Sequence, residues 1–146
     1  MDPEDRCSLA RRLTVIVYDG IVVSAILFFA AIPPTVAMVS LGSTPQEHSA
    51  LFRLGMTVYL LLVAFAFFGG FWTHGGQTIG MRAWRVRAVR RDGAPLQWRD
   101  AALRYAAALL SWAALGAGFW WCLLDRDGLA WHDRISGTEL RRVPRD

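Results

Sequence analysis

Asp19 is the residue whose type and setting first demand chemistry. It lies six residues past Leu13, inside an otherwise uncharged apolar stretch. In a helix, that puts it roughly 10 Å below a membrane surface. A carboxylate at such depth is costly and usually faces a protein interior or a water-filled path. Arg12 stands seven residues earlier, two helical turns away, so both side chains project from nearly one face. Arg11 points about 80° away from that direction and is the weaker partner. Seven residues of straight helix are too many for direct contact. Arg12 therefore snorkels toward the headgroups, or the two meet through a third group. Two readings of Asp19 stay open. One is a cation or proton site tuned by Arg12. The other is a permanently ionised acid that pins two helices together through Arg or backbone donors.

Other chemistry-bearing residues give less. His132-Asp133-Arg134 brings an imidazole next to a carboxylate, but adjacent residues do not share a face, and no third ligand or nucleophile has suitable spacing. His74 stands only near an interface. No metal, cofactor or catalytic site is expected, and the chain does not read as an enzyme. Gly75-Gly76-Gln77-Thr78-Ile79-Gly80 superficially resembles a phosphate loop. It is followed by Met81-Arg82 rather than Lys and a hydroxyl residue, and an apolar helix precedes it rather than a strand. It reads as a tight turn with Thr78 as a helix cap. Cys7 and Cys122 are too differently placed to form a disulfide framework.

Three apolar stretches would position these residues. The first, residues 13–32, ends at Pro33-Pro34, which should not continue a helix. The second, 54–72, has no charge, and the third, 105–124, has none either but is rich in Ala, with Ser111, Gly116 and Gly118 inside it. Each is long enough to enter a bilayer, whose hydrocarbon core takes about 20 helical residues. Arg11 and Arg12 ahead of the first stretch resemble the start of a signal peptide. The stretch runs too long for one and lacks a small-x-small cleavage site, so a retained span is expected. Ala113 with Ala117, and Ala114 with Gly118, are small-x-x-x-small pairs, a spacing that an Ala-rich stretch produces readily.

The connecting segments differ in charge. Residues 41–52 contain no Arg, whereas 73–104 contain Arg82, Arg85, Arg87, Arg90, Arg91, Arg99 and Arg104. With Arg6, Arg11 and Arg12 ahead of the first span, the positive-inside rule puts the N-terminus and the 73–104 segment in the cytoplasm. The tail, 125–146, carries Arg126, Arg134, Arg141, Arg142 and Arg145, and a third full span would place these outside. A re-entrant hairpin turning near Leu115-Gly116-Ala117-Gly118 resolves the conflict, with arms of roughly 15 Å each. Trp84, Val86 and Ala88 alternate with Arg85 and Arg87 ahead of Asp92-Gly93, the pattern of a strand before a turn. The tail segment from Gly137 to Arg141 is its expected partner, which also favours a tail on the cytoplasmic side.

The composition fits a membrane protein. Of 146 residues, 54% are hydrophobic and the mean hydropathy is +0.29, yet there are 16 basic and 12 acidic residues. These are compatible only because the charges lie outside the apolar stretches. All the basic residues are Arg, as a high-GC bacterial genome would give. The sequence pI of about 9.8 follows from Arg in cytoplasmic segments and does not require nucleic acid. Arg82, Arg85, Arg87, Arg90 and Arg91, with Trp84 and Trp98, suit anionic lipid headgroups.

Together these motifs make the chain resemble the RDD family of membrane proteins, named for an Arg and two Asp. The pieces that carry the resemblance are Arg11-Arg12-Leu13, Tyr18-Asp19, Gly75 to Arg82, Asp92-Gly93, Arg104-Tyr105, and Leu129 to Thr138. The resemblance implies that the named residues are Arg12, Asp19 and Asp133. It also implies suspected transport, in some members the exchange of alkali cations for protons.

The expected fold is therefore all-α and membrane-embedded, one unit over 1–146. It has two full spans, a third spanning or re-entrant segment, and a small Arg-rich cap. The expected setting is a bacterial cytoplasmic (inner) membrane. The first functional expectation is a transport component for a small cation or proton, with Asp19 as the site, Arg12 tuning it, and Asp133 at the mouth or anchoring Arg12. So few helices would need a homo-oligomer to enclose a path. The alternative is a non-catalytic scaffold or assembly partner of a larger complex, in which the three residues form a structural ion-pair cluster.

Overall fold

The computed structural model describes residues 8–42, 50–125 and 127–143. Arg6, Arg126 and Arg145 of the charge pattern, Cys7, and residues 43–49 of the Arg-free first loop lie outside them. The fold is mostly helical, with one two-stranded sheet.

Two long helices dominate: α1, Leu9–Ser40, and α2, Ala50–Thr73. Their most apolar windows have mean hydropathies of 2.4 and 2.1, yet only 17% and 6% of these windows is buried. Apolar helices left so bare need hydrocarbon rather than water around them. Phe28, Phe29 and Leu62 are typical of the uncovered side chains. With 32 residues, α1 is about 48 Å long, more than the roughly 30 Å hydrocarbon core, so its ends project beyond that core.

One expectation fails on α1. The helix does not stop at Pro33-Pro34 but runs through both to Ser40. Pro34 has no N–H to give the Ala30 carbonyl, and the Tyr59 hydroxyl of α2 donates to that oxygen instead, at 3.3 Å. A neighbouring helix re-satisfies the freed backbone group, which is how proline is tolerated inside a membrane helix.

After α2 the chain turns through Gly75 and Gly76 into α3, Ile79–Ala83, with Thr78 as the N-cap, as expected. Gly76 takes φ +73°, and a Cβ there would lie 2.5 Å from the Ala88 carbonyl oxygen. Only glycine allows that approach. It matters because the Gly76 carbonyl accepts the Ala88 N–H at 2.7 Å. The strand β1, Val86–Arg90, follows, and it pairs antiparallel with β2, Thr138–Arg142, in the register Ala88 to Leu140. The expected partner segment is present, and the expected alternation holds from Val86 on; Trp84, expected within it, instead caps α3 and is exposed. Val86 and Ala88 are buried, and Arg87 between them is exposed.

The third apolar stretch is bent rather than straight. α4, Trp98–Ala113, is followed by Leu115 and Gly116 at positive φ, then α5, Ala117–Trp120, and a 3-10 turn, Trp121–Leu123. The two halves meet at 110°. The break falls in the expected Leu115–Gly118 region. The small residues there have a specific use. A Cβ on Gly118 would fall 1.9 Å from Ser111 Oγ and 2.8 Å from the Trp131 ring, so only glycine lets the returning arm lie against α4.

α6, Trp131–Ser136, ends at Gly137 in the left-handed conformation and leads into β2. On α4 the buried residues Ala101, Arg104, Ala107 and Ser111 recur at helical spacing, and the element most extensively packed on α4 is α6. The main apolar cluster joins Val15, Trp72, Met81, Val86, Ala88, Leu96, Ala101 and Leu140. It draws on the start of α1, the end of α2, α3, the sheet and the start of α4. The core therefore sits at one end of the bundle rather than at its middle. Because β2 is bonded to β1, the bent segment leaves and returns at that same end.

Candidate functional site

Asp133, in the first turn of α6, is fully buried and gathers three parts of the chain. Its Oδ2 accepts from Arg12 Nη1 of α1 at 2.5 Å and from the Ala130 N–H at 3.3 Å. Its Oδ1 accepts from Arg104 Nη1 of α4, also at 2.5 Å. Arg12 Nη2 donates to the Gly128 carbonyl at 3.1 Å. Arg104 Nη1 also donates to Thr138 Oγ1 at 2.7 Å, and the Arg104 guanidinium lies 5.2 Å from the centre of the Trp72 ring. Thr138 Oγ1 is 2.7 Å from Ser136 Oγ, which donates to the His132 carbonyl. The network ties α1, α4, α6 and β2 together through one carboxylate.

The electrostatics of Asp133 follow from that arrangement. Burial alone would raise its pKa. The guanidiniums of Arg104 and Arg12 hold it well below the usual carboxylate range instead. Next to it, burial pushes the His132 imidazole down to about 3; Asp133 opposes that shift, and Arg104 and Arg12 add to it. His132 is thus neutral at pH 7, with Nε2 at 3.5 Å from Asp133 Oδ1.

Asp19 is the second acid, and its surroundings differ. It is 3% exposed, and Oδ2 accepts from the Thr78 hydroxyl while Oδ1 accepts from the Gly80 N–H at 2.9 Å. Thr78 Oγ1 in turn accepts the Met81 N–H. A Cβ on Gly80 would lie 2.9 Å from the Val15 carbonyl oxygen and 3.0 Å from Asp19 Oδ1, so the absence of a side chain there lets α3 close on α1. Among the described residues, no cation lies within ion-pair distance of Asp19, whereas Arg12 and Arg104 both pair with Asp133.

The structure therefore separates residues that the sequence placed together. Arg12 and Asp19 share a helix face but are held by different partners. Arg12 meets Asp133, 121 residues away, one of the two roles expected for Asp133. Arg104 stands at the heart of the network, yet the sequence does not mark it as a site residue. The available signal was its position in the row of small residues Ala101, Ala107 and Ser111, which marks the buried face of α4. Thr78 was expected only as a cap, and it is also the main donor to Asp19. His74 sits within hydrogen-bond distance of Thr73 Oγ1 and the Gly70 carbonyl.

Arg82, Arg85, Arg87 and Arg91 are exposed. Arg90 is half-buried and turned to Asp92 at 3.1 Å and Asp100 at 3.9 Å. Trp84 and Trp98 are exposed beside them.

Between α1, α2 and the α4–α5 hairpin lies a cavity of about 390 Å³, with Arg12, Asp19, Trp72, Arg104 and His132 among its lining residues. Both acid centres thus border one space, Asp19 directly and Asp133 through its partners.

Comparison with known proteins returns one finding. A model of the RDD family matches residues 6–137. No curated protein and no solved structure matches the chain.

Proposed function

The chain belongs to the RDD family, and from that premise we propose that it is a membrane transport component moving a small cation or proton, with Asp19 as the group that changes charge. The observation that carries this reading is the contrast in counter-charge. Asp133 is neutralised by two guanidiniums, whereas Asp19 borders the same cavity and, among the described residues, is held by neutral donors only, Thr78 and the Gly80 N–H. An acid within a membrane segment that has no fixed cation can exchange its proton or coordinate a passing one. Arg12 acts as an anchor and not as a tuner of Asp19, because its guanidinium is committed to Asp133.

Two spans and a bent segment leave the cavity open on one side, so transport is by an oligomer. The setting is a bacterial cytoplasmic membrane, with the Arg-rich end inside and Arg82, Arg85, Arg87 and Arg91 on anionic headgroups. No catalytic role is assigned. A second reading has its own observation: the buried Arg12–Asp133–Arg104 network suits a rigid scaffold that presents its apolar faces to a larger complex.

Ion and proton flux in proteoliposomes separates the two. Asn at position 19 keeps the shape and can still accept from the Gly80 N–H, so Asp19→Asn should fold. Flux with wild type and none with Asp19→Asn of equal melting temperature is the expected result. Well-folded wild type that moves neither alkali cations nor protons would move the assignment to the scaffold. Orientation has a separate test, in a background with Cys7 and Cys122 replaced by Ser. Cysteines placed at Arg91 and Val143 should both resist membrane-impermeant thiol reagents in intact cells; labelling of Val143→Cys alone would refute a re-entrant third segment.

A further inference from the structure

The strand β1 carries arginines on both of its faces, and the two faces treat them differently. Arg90 shares a face with the buried Val86 and Ala88, and two acids answer it, Asp92 at 3.1 Å and Asp100 at 3.9 Å. Arg87 is on the opposite face. The Val143 N–H donates to the Arg85 carbonyl and the Arg91 N–H to the Gly137 carbonyl, which continues the ladder at both ends. Arg85 and Arg91 are therefore in phase with Arg87. From β2, Arg141 stands directly opposite Arg87. The same two bonds make Arg87 and Arg141 a hydrogen-bonded pair, with Cα atoms about 5.5 Å apart.

Like charges directly opposite one another weaken a sheet, and this face does little to offset them. Its acid, Glu139, accepts from Arg141 Nε at 2.5 Å. Arg85, Arg87 and Arg91 are exposed and, among the described residues, in no ion pair. Arg85 is also held at φ +52°, a left-handed conformation that suits Gly or Asn, so an arginine stands there at a conformational cost. Guanidiniums grouped in this way fit phosphate, whose oxygens accept from their fork of donors. The level of the sheet decides whose phosphate. Trp84, just before Arg85, meets Tyr18 of α1 edge-on at 6.5 Å, and Trp98, which opens α4, meets Phe65 of α2 at 5.9 Å. Both tryptophans are exposed, and such rings mark the headgroup level of a bilayer. The strand lies between them in the chain. One phosphate between Arg87 and Arg141 relieves that pair but leaves Arg85, about 7 Å along the strand, without an anion.

We propose that this face of the sheet is a specific site for a lipid that carries two phosphates in its headgroup. One phosphate sits between Arg87 and Arg141 and the other against Arg85. The proposal rests on the placing of these arginines at anionic headgroups, and adds that the sheet selects among such lipids. It does not use Asp19 and is independent of transport.

The test uses the full chain in detergent micelles, titrated with cardiolipin or with phosphatidylglycerol at equal phosphate and read by native mass spectrometry. Wild type should retain one cardiolipin per chain and hold it about fivefold more tightly than phosphatidylglycerol, the contribution of one further arginine contact. Arg87→Gln and, independently, Arg141→Gln should each remove that preference. Arg87→Gln also removes the repulsion, so without lipid it should melt no lower than wild type, while cardiolipin should raise the melting temperature of wild type alone. Arg82→Gln, the same loss of charge on α3, should weaken both lipids alike and keep the preference. Equal affinity of wild type for the two lipids overturns the proposal and leaves the headgroup placement standing. A preference lost as fully in Arg82→Gln overturns it too, since total charge and not this pair then decides. Affinity for neither lipid above that for phosphatidylcholine overturns the proposal and the headgroup placement together. Loss of bound cardiolipin to an equal concentration of inorganic pyrophosphate also overturns it, because the occupant is then a soluble phosphate.

Discussion

Asp133 and Asp19 are both buried almost completely, and both sit at the same end of the helix bundle, but they are satisfied by opposite means. Asp133 lies between the guanidiniums of Arg12 and Arg104 and also takes a backbone N–H. Asp19 takes a hydroxyl and a backbone N–H from the turn at Thr78–Gly80 and has no cation within ion-pair distance among the described residues. The first arrangement fixes charge. Two cations and one anion in a low-dielectric interior keep one another ionised, and none can change state without exposing the rest. The second leaves charge adjustable, because neutral donors hold the carboxylate in place without committing it to being ionised. Of these two acids, the structure thus builds one as a clamp and, among the described residues, holds the other with neutral donors alone.

Breaking the clamp should have the largest effect. Asp133→Asn leaves Arg12 and Arg104 buried against an amide that cannot neutralise them. Losing one partner of a buried ionic network costs about 3–5 kcal/mol, so unfolding in mixed detergent should shift by that amount or the protein should fail to accumulate. A variant that melts like wild type would mean that the network contributes little and that the contrast with Asp19 is one of geometry only.

Acid should weaken the clamp next. The imidazole of His132 has a folded pKa of about 3 against about 6.5 in an unfolded chain. The unfolded chain therefore takes up the proton first, so this contribution is complete above pH 6.5 and is lost as the pH falls toward 3. Between pH 6.5 and 5 the loss should be about 2 kcal/mol. Asp133, held below its usual range, acts in the same direction but only at more acid pH. His132→Gln should flatten the stability profile between pH 6.5 and 5, and an unchanged slope would transfer the effect to another group.

The smallest change in stability is expected where the functional change is largest. Asp19→Asn should shift unfolding by less than about 1 kcal/mol, because no buried cation is left exposed and the Thr78 hydroxyl can reverse its bond to suit an amide. A destabilisation as large as that of Asp133→Asn would show Asp19 to be a second clamp, and the contrast between the two acids would be lost.

Much of this architecture is legible locally. The three apolar stretches, the Val86/Ala88 alternation, the Thr78 cap and the turn near Gly116 each follow from residues close together in the chain. So does the family resemblance, since its motifs are short and ordered. The passage of α1 through Pro33-Pro34 was not legible. It depends on Tyr59, a residue of another helix, reaching the Ala30 carbonyl.

The sequence by itself determined that this chain enters a membrane, which segments do so, where the arginines gather, and that Asp19 stands within a span. Those are properties of neighbours: hydropathy and periodicity are summed over a few turns of helix, and no fold is needed to compute them. Only the tertiary structure decided which charge answers which. Arg12 looks along its own helix toward Asp19, but it is bonded to Asp133, with Arg104 completing the network from a third helix. Ion pairing depends on distance in space and on the loss of water around both partners. Those are set when the hairpin folds back on Gly118 and the tail strand closes on β1.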